Sequence, residues 1–413
     1  DEAFEIVSKW KKENIINAYI ESPKKGLDTE LEGKKLCDWG KIFLDLAKKG
    51  LIERDKVNSK GNNETVYLKH VENVVNNKKN RAQLLLEKYN KTKNLDFFKN
   101  EKENIIGMQR NNQQITTEPG LQCELSGAPL ENVHQVCAES SNFLKEIQLA
   151  SKGLDINTVS IGFDPFNNLS EVPRSPKQRY NIMTKEMPKG GSQSLEMMYR
   201  TCGIQINYDY TSENNFEKIF RLGNYLTPLA IALYSNSPFE SEKPTGYLSY
   251  RNKVWQSTSR GGIMPIAFEK INFEKYFDHI IEYPILFAIR DKKYIEPNGQ
   301  TFKDFIFGNF DNLKEEANLE DFETHLATIF TEVRLKQYIE VRSLDACDWE
   351  CLCDGPAFFT GLFYNSLDEA FEIVSKWKKE NIINAYIESP KKGLDTELEL
   401  SLIHISEPTR LQQ

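Results

Sequence analysis

One stretch of 32 residues occurs twice in this chain without a single difference, at 1–32 and at 368–399. The identity ends abruptly, because Gly33 follows the first copy and Leu400 follows the second. Repeats that stack into a solenoid diverge in sequence and occur in threes or more. The pair therefore argues against a repeat architecture. It indicates a rearrangement of the gene, with a natural duplication as the simpler alternative.

Both copies carry the same apolar residues at helical spacing. In the first copy these are Phe4, Val7, Ile16 and Ile20, and in the second they are Phe371, Val374, Ile383 and Ile387. One docking site can bury only one such stripe, so we expect the two copies to compete. The second copy leads only into residues 400–413, which resemble the translation of a sequencing adapter. We therefore expect the second copy to lose this competition more often.

Charge and cysteine content narrow the class of protein. The chain has 53 lysines and arginines against 61 aspartates and glutamates, a net charge of −8, which argues against a nucleic-acid binder. No apolar run reaches the roughly 18–20 residues of a membrane helix. Seven cysteines are an odd number and too few for a disulfide scaffold of this length. We expect a cytoplasmic protein, monomeric or homodimeric, without nucleic-acid or membrane partners.

The sequence pattern changes along the chain. Residues 1–92 have helical spacing and many lysines, 93–104 form a junction, and strand and turn signals dominate after residue 105. Helical stretches interleave at 134–151, 178–187 and 215–234, and the segments 285–290 and 292–296 predict paired strands. This mixture predicts an α+β core over 105–367.

A first polar strand face is predicted in the segment TCGIQINYDY (201–210). Alternation places Gln205 and Asn207 on one face and Ile204 and Ile206 on the other. Amide side chains both donate and accept hydrogen bonds and are therefore good ligand binders. The alternative is a polar face that meets only water.

The segment EVRLKQYIEVR (332–342) alternates in the same way and predicts a single strand. Arg334, Glu340 and Arg342 share one face of it. Arginine pairs with carboxylate or phosphate through two hydrogen bonds, and glutamate binds hard cations, so this face suits an anionic, metal-bound substrate. A solvated strand laced with salt bridges remains the alternative.

A third cluster lies in EPGLQCELSGAP (118–129). If this segment is a strand, Glu118, Gln122 and Glu124 project from one face. Two carboxylates that bracket an amide suggest a Mg²⁺ platform. Together, the three polar faces predict a site where a carboxylate, a phosphate and Mg²⁺ meet.

At these segments the chain resembles the plant-type glutamate–cysteine ligases. The blocks that carry the resemblance are ELSGAPLENVHQVCAE (124–139), IGFDP (161–165), PKQRYNIM (176–183), MMYRTCGIQIN (197–207), NSPF (236–239), HLATIFTEVRLKQYIEVR (325–342) and PAFFTGLFY (356–364). They follow one another in family order from about residue 105 to residue 367.

The resemblance implies a glutamine-synthetase-like carboxylate–amine ligase core with a mixed or antiparallel sheet, plus a helical region. Residues 1–92 resemble the family's C-terminal helical part, which normally follows the core. The chain is therefore expected to be circularly permuted and to lack the family's N-terminal segment. Residues 368–399 repeat the start of the helical part, and 400–413 are excluded as a scar.

The same resemblance implies a reaction and its residues. ATP would phosphorylate the γ-carboxylate of glutamate, and the amino group of cysteine would attack the acyl phosphate, in the first step of glutathione biosynthesis. Arg334 and Arg342 would neutralise charge, and Glu118, Glu124 and Glu340 would hold Mg²⁺. Substrate binding would fall to three further residues, Arg200, Gln205 and Asn207.

Two cysteines of the chain, Cys137 and Cys353, match a family pair that can form a disulfide, although a reduced, buried thiol is the simpler interpretation of each. The functional prediction has two alternatives. One is a catalytically inactive, rearranged fragment of such an enzyme. The other is a related ligase that joins a carboxylate to a different amine.

Overall fold

The computed structural model describes residues 105–398, except 111, 153 and 155, together with the backbone of the strand segments 30–31, 34–35, 66–75 and 96–99. The chain divides into two units, Asp1–Asn63 and Glu64–Gln413. The described part of the first unit is an antiparallel pair of short strands, β1 (Glu30–Leu31) and β2 (Lys34–Lys35). The remainder of the duplicate at 1–32 lies outside the described residues.

The second unit is built on one large antiparallel sheet. Its strands and those of two small hairpins are β3 (Val66–Val75), β4 (Asp96–Lys99), β5 (Ile105–Arg110), β6 (Gln113–Thr117), β7 (Cys123–Ser126), β8 (Asn157–Val159), β9 (Gly203–Tyr208), β10 (Phe239–Glu240), β11 (Lys243–Pro244), β12 (Ala288–Arg290), β13 (Lys293–Ile295), β14 (Val333–Leu335) and β15 (Ile339–Asp345). The large sheet has the order β14-β15-β9-β3-β7-β6-β5-β4, and β8 pairs with β3. The predicted hairpin is confirmed, because β12 pairs with β13.

The sheet differs from the predicted organisation at its centre. Strand β3 lies between β9 and β7, although residues 1–92 were predicted to be helical. Strand β4 comes from the predicted junction and pairs with β5. The spacing of apolar residues does not by itself distinguish a helix from a strand in a short segment, and here pairing with two neighbouring strands determines the structure.

Eleven α-helices accompany this sheet in the described part of the chain. They are α1 (Val133–Ser151), α2 (Gln178–Glu186), α3 (Ser194–Arg200), α4 (Glu213–Leu233), α5 (Tyr250–Trp255), α6 (Phe273–Ile280), α7 (Phe302–Ile306), α8 (Leu319–Ala327), α9 (Trp349–Thr360), α10 (Leu367–Val374) and α11 (Lys379–Lys392). The three helices predicted after residue 105 are confirmed as α1, α2 and α4. Among the described residues, no helix is long and apolar enough to span a bilayer.

The main core lies between α4 and the strands that lead to the cavity described below. Ile204 and Ile206 of β9, Val333 of β14 and Val341 of β15 are buried there with Phe220 of α4. Strand alternation then forces the polar residues of the same strands to the opposite face. The fold is thus α+β, with an apolar sheet face toward α4 and a polar face left for a site.

The second copy of the repeated segment is docked on this core, contrary to the prediction that it would lose the competition. Helices α10 and α11 pack against α4, and the chain reaches them from α9 through a short π-helix, Gly361–Asn365. This direct connection places the segment beside its site. The predicted stripe is also only partly correct, because the helix is interrupted between Val374 and Lys379. The buried residues of α11 are Ile382, Ala385, Tyr386, Ser389 and Pro390.

Candidate active site

The polar sheet face lines a cavity of about 340 Å³. Strands β7, β9, β14 and β15 and helices α2, α3, α5 and α8 contribute side chains or adjoining residues to its wall. Five cationic side chains line it, and they are Arg179, Arg251, Arg334, Lys336 and Arg342. Two carboxylates, those of Glu118 and Glu124, line it as well. A cationic cavity in a chain of net charge −8 is suited to a polyanionic ligand.

The segment 332–342 forms a hairpin and not the predicted single strand. The chain turns between Leu335 and Ile339, so that Arg334 pairs directly with Glu340 across β14 and β15. The polar residues still share one face, because the turn keeps the alternation of the two strands in phase. Their predicted juxtaposition is therefore present in the structure, although the predicted strand is wrong.

Glu340 binds both arginines of this hairpin. Its Oε2 atom accepts a hydrogen bond from Arg334 Nε and another, of 2.8 Å, from Arg342 Nη1. Arg334 also donates from Nη1 to the carbonyl oxygens of Ala327 and Ile329. All three charged side chains are buried, so the hydrogen bonds offset the cost of removing them from water.

Strand β9 places the two predicted amide side chains on the cavity face of the sheet. Gln205 lines the cavity, and its Oε1 atom accepts a 2.7 Å hydrogen bond from Arg342 Nη1. Asn207 lies opposite Glu340 in the register but is not part of the cavity wall. Its buried Oδ1 atom has no hydrogen-bond partner among the described residues. The alternative of a face exposed to water is excluded, because every residue of β9 is buried.

The segment 118–122 is the turn of the β6–β7 hairpin and not a strand as predicted. Its turn is closed by a 2.8 Å hydrogen bond from Glu118 N to Gln122 O, with Leu121 at a left-handed φ of 63°. Glu118 follows β6, and Glu124 lies in β7 opposite Thr116. Both carboxylates reach the cavity from this hairpin.

The third predicted member of this cluster has a structural role. Gln122 donates from Nε2 to the carbonyl oxygens of Tyr199 and Thr201, at 3.1 and 3.3 Å, and its Oε1 atom accepts from Gly120 N. These three hydrogen bonds use both ends of the amide. Gln122 therefore fastens the β6–β7 turn to the end of α3.

The three predicted Mg²⁺ ligands are not gathered into one cluster. Within the described part of the chain, no group of three or more histidine, cysteine or acidic side chains could hold a metal ion. Glu340 is engaged by two arginines, which does not suit a metal ligand. Glu118 and Glu124 do suit Mg²⁺, because this ion commonly uses one or two carboxylates together with substrate phosphates and water.

Arg200, the predicted substrate clamp, lies outside the cavity wall. It ends α3, and its Nη1 atom forms ion pairs of 2.9 Å with Glu196 and with Glu240. Its guanidinium also stacks over the ring of Phe163, 4.4 Å from the centroid. These contacts join α3 to the β10–β11 hairpin, so the structure gives Arg200 a role in packing.

Sequence reasoning assigned no role to Arg251, although this residue lines the cavity. Its Nη2 atom donates a 2.7 Å hydrogen bond to Arg342 O, and its guanidinium lies 4.9 Å from the Trp255 ring. Arg342 stacks on the same tryptophan at 5.2 Å. Residue 251 lies outside the blocks that resemble the family, and a lone arginine on a short helix has no periodic signal that would have identified it.

Arg179 and Tyr180 lie in the family-like block PKQRYNIM (176–183), although neither was predicted to belong to the site. Tyr180 OH donates to Glu118 Oε2 at 3.4 Å, and Arg179 Nη2 donates to Tyr180 OH at 3.0 Å. Burial, followed by the charge of Glu118, raises the pKa of Tyr180 well above its usual value. Tyr180 therefore stays protonated and able to donate this hydrogen bond.

The arginines of the β14–β15 hairpin repel one another. Burial, followed by the charge of Arg334, lowers the pKa of Arg342 to about 10, although Glu340 opposes this change. Arg342 is still a cation near neutral pH. An anionic ligand would relieve the repulsion between the arginines, which gives the cavity its preference for negative charge.

The two cysteines of the predicted pair lie on helices that pack together. Cys137 belongs to α1 and Cys353 to α9, and both are free thiols in this structure. A hydrogen bond with the Cys353 thiol lowers the pKa of Cys137, although burial acts in the opposite direction. Proximity and an activated thiol are the two conditions for disulfide formation.

Comparison with known proteins identifies the family. The model of "Glutamate-cysteine ligase family 2 (GCS2)" matches residues 93–407. The chain belongs to the GCS2 family. The resemblance drawn from the sequence blocks is therefore confirmed at the level of the family.

Several GCS2 relatives are similar over most of this chain. The chloroplastic glutamate–cysteine ligase B of Oryza sativa subsp. japonica is 43% identical over 302 residues, which cover 72% of this chain and 61% of that protein. The chloroplastic enzyme of Arabidopsis thaliana is 41% identical over 317 residues, which cover 74% of this chain and 60% of that protein. The chain thus spans about 60% of the length of these relatives.

A solved structure is also similar. It is the glutamate–cysteine ligase of Francisella tularensis in complex with AMP, with 12% identity and a TM-score of 0.46 over 81% of this chain and 72% of that one. The relatives named above are chloroplastic proteins. They contradict the prediction of a cytoplasmic location, which rested on the cysteine content of the chain.

Proposed function

We propose that this chain derives from an ATP-dependent ligase that joins the γ-carboxylate of glutamate to the amino group of cysteine, on a glutamine-synthetase-like core. The observation that carries the proposal is the cavity, where five cationic side chains and two carboxylates meet in a member of the GCS2 family. A nucleotide triphosphate and an amino-acid carboxylate are the anions that such a wall would hold.

The roles follow from the chemistry of each group. A carboxylate is a poor electrophile, and transfer of the ATP γ-phosphoryl group to it creates an acyl phosphate that an amine can attack. Catalysis of such a transfer consists mainly of positioning and charge neutralisation. Arg334 and Arg342 neutralise the transferred phosphoryl group and the carboxylate, and Gln205 orients Arg342 through its hydrogen bond.

Glu118 and Glu124 would hold Mg²⁺ with the nucleotide phosphates. The ion would supply positive charge to the phosphate oxygens during transfer. Tyr180 and Arg179 orient the Glu118 carboxylate through the hydrogen bonds described above. Glu340 is not included as a ligand, because both arginines of the hairpin engage it.

We further propose that residues 1–92 correspond to a region that follows the core in the family. The support is the position of the second copy, which lies inside the family match at 93–407, whereas the identical first copy precedes it. Strand β3 lies in this region and pairs with β7 and β9 of the core sheet.

An assay of ADP release tests the proposed reaction. With ATP, Mg²⁺ and glutamate, ADP formation is expected to rise when cysteine is added, and γ-glutamylcysteine is expected to accumulate in equal amount by mass spectrometry. ADP release with another amine instead of cysteine would favour the related ligase. No release with any amine, from a chain that is folded by circular dichroism, would identify an inactive fragment.

Mild oxidation is expected to join Cys137 and Cys353. The two thiols already form a hydrogen bond, and the lowered pKa of Cys137 favours its thiolate. Non-reducing peptide mapping after treatment with diamide should find the two cysteines in one linked peptide. Cys137→Ser should abolish the link, and Cys202→Ser should leave it unchanged. Recovery of both cysteines as alkylated thiols after oxidation would contradict the pairing.

A further inference from the structure

A hydrogen bond links the docked copy of the repeated segment to Glu332, which lies close to Arg251 and Arg342 of the cavity wall. Tyr386 of α11 donates from its hydroxyl group to Glu332 Oε1 at 2.8 Å. Glu332 is 0% exposed, and it immediately precedes β14. Its other oxygen, Oε2, has no hydrogen-bond partner among the described residues. Tyr386 therefore supplies the hydrogen bond to one oxygen of this buried carboxylate.

Glu332 belongs to the support of the cavity and not to its wall. Its carbonyl oxygen accepts a 2.8 Å hydrogen bond from Arg342 N, which holds the start of β14 against β15. Its carboxylate interacts electrostatically with Arg251 of α5 and with Arg342 and Asp345 of β15. Two of these partners, Arg251 and Arg342, line the cavity and stack on Trp255.

We propose that Tyr386 is a positioning residue for the cavity, whose hydroxyl group fixes the Glu332 carboxylate beside Arg251 and Arg342 through its hydrogen bond. The repeated segment then has a function beyond packing, since it supplies a group that controls the charge behind the cavity wall. This inference rests on the proposed ligase function only for its effect on activity. The hydrogen bond and its effect on stability are independent of it.

The charge state of Glu332 provides a readout that distinguishes positioning from packing. Burial raises the pKa of Glu332, while Arg251 and the hydrogen bond from Tyr386 oppose the rise. For a carboxyl group whose pKa is higher in the folded chain, stability decreases as the pH rises through that range. Loss of the hydroxyl group raises the folded pKa further. The variant therefore loses more stability at pH 8 than near pH 5, because ionisation of Glu332 in the folded chain costs more without the hydroxyl group.

Tyr386→Phe tests this, and the duplication supplies its matched control. The identical position of the first copy is Tyr19, so Tyr19→Phe makes the same chemical change in the same local sequence. We expect Tyr386→Phe to lower the Tm by roughly 2–4 °C at pH 8 and by less than about 1 °C at pH 5. Tyr19→Phe should change the Tm at neither pH. In a Glu332→Gln background, the pH dependence of the Tyr386→Phe effect should vanish.

The effect of Tyr386→Phe on activity is measured as the pH profile of ADP release. Its acidic limb should move to higher pH by about one unit in Tyr386→Phe, because Glu332 then protonates at higher pH. An equal loss of Tm at both pH values, or a Tyr19→Phe effect as large as that of Tyr386→Phe, would overturn the positioning role. Absence of ligase activity in every variant, with the pH-dependent Tm difference preserved, would overturn the proposed reaction and leave the positioning of Glu332 supported.

Discussion

Arg334→Lys is expected to lower kcat/KM for γ-glutamylcysteine formation by about 2–4 kcal/mol in transition-state stabilisation, roughly 30- to 1,000-fold. Arg334 uses its planar guanidinium group to bind Glu340 and two carbonyl oxygens at once. A lysine ammonium is a point charge without that fixed fork, so it cannot maintain all three contacts. The cavity wall would keep its positive charge, but the hydrogen bonds that hold residue 334 in position would be lost.

The measurement is steady-state kinetics with the Tm recorded in parallel. Arg221→Lys is the control, because Arg221 also pairs with a glutamate, Glu217, and packs on an aromatic ring, but it lies outside the cavity. Its substitution should leave kcat/KM within about twofold, because neither Arg221 nor Glu217 is part of the cavity wall. Unchanged kinetics in Arg334→Lys would remove this residue from the proposed machinery.

Ile382→Asp is expected to have the largest effect on stability, whereas the same substitution at Ile15 should have little. Ile382 is 0% exposed and belongs to the main core cluster beneath α4. A buried aspartate loses the apolar burial of isoleucine and adds an unpaired charge, which together cost about 3–5 kcal/mol or more. Ile15 is the equivalent position of the first copy.

Thermal or urea denaturation of the two single variants measures this difference directly. The sequence around both positions is identical, so intrinsic helix propensity and the unfolded state contribute equally to each. A similar loss of stability in Ile15→Asp would mean that the first copy also depends on a buried isoleucine. A loss in Ile15→Asp alone would reverse the assignment of the docked copy.

Sequence patterns predicted which side chains share a face of the sheet better than they predicted where each strand begins and ends. Alternation correctly separated the polar from the apolar face in 201–210, where the chain forms one strand. It did so in 332–342 as well, because the hairpin turn there leaves its two strands in phase. The same alternation could not reveal the turn at Lys336–Tyr338, which has no glycine or proline. Nor could it distinguish the polar face of a buried cavity from one that meets water.

The contributions of distant segments were not predictable from periodicity. Arg251 reaches the site because α5 packs beside β15, and Tyr386 does so because α11 packs beside α5. Strand β3 joins the sheet by pairing with β7 and β9, which lie far from it in sequence. Such long-range pairings depend on the assembled fold. In contrast, Gln205, Arg334 and Arg342 all lie in the family blocks, and the structure places these three side chains in the cavity wall.

The central position of β3 in the sheet separates the two carboxylates of the cavity from the arginines of the β14–β15 hairpin. The carboxylates are carried by the β6–β7 hairpin, and the hairpin arginines by β14 and β15, with β3 and β9 lying between β7 and β15. At about 4.8 Å for each step between neighbouring strands, β7 and β15 are separated by roughly 14 Å. A ligand that contacts both groups extends across the strands between them, so inhibitors that join a polyphosphate mimic to an amino acid should bind more tightly than either half alone.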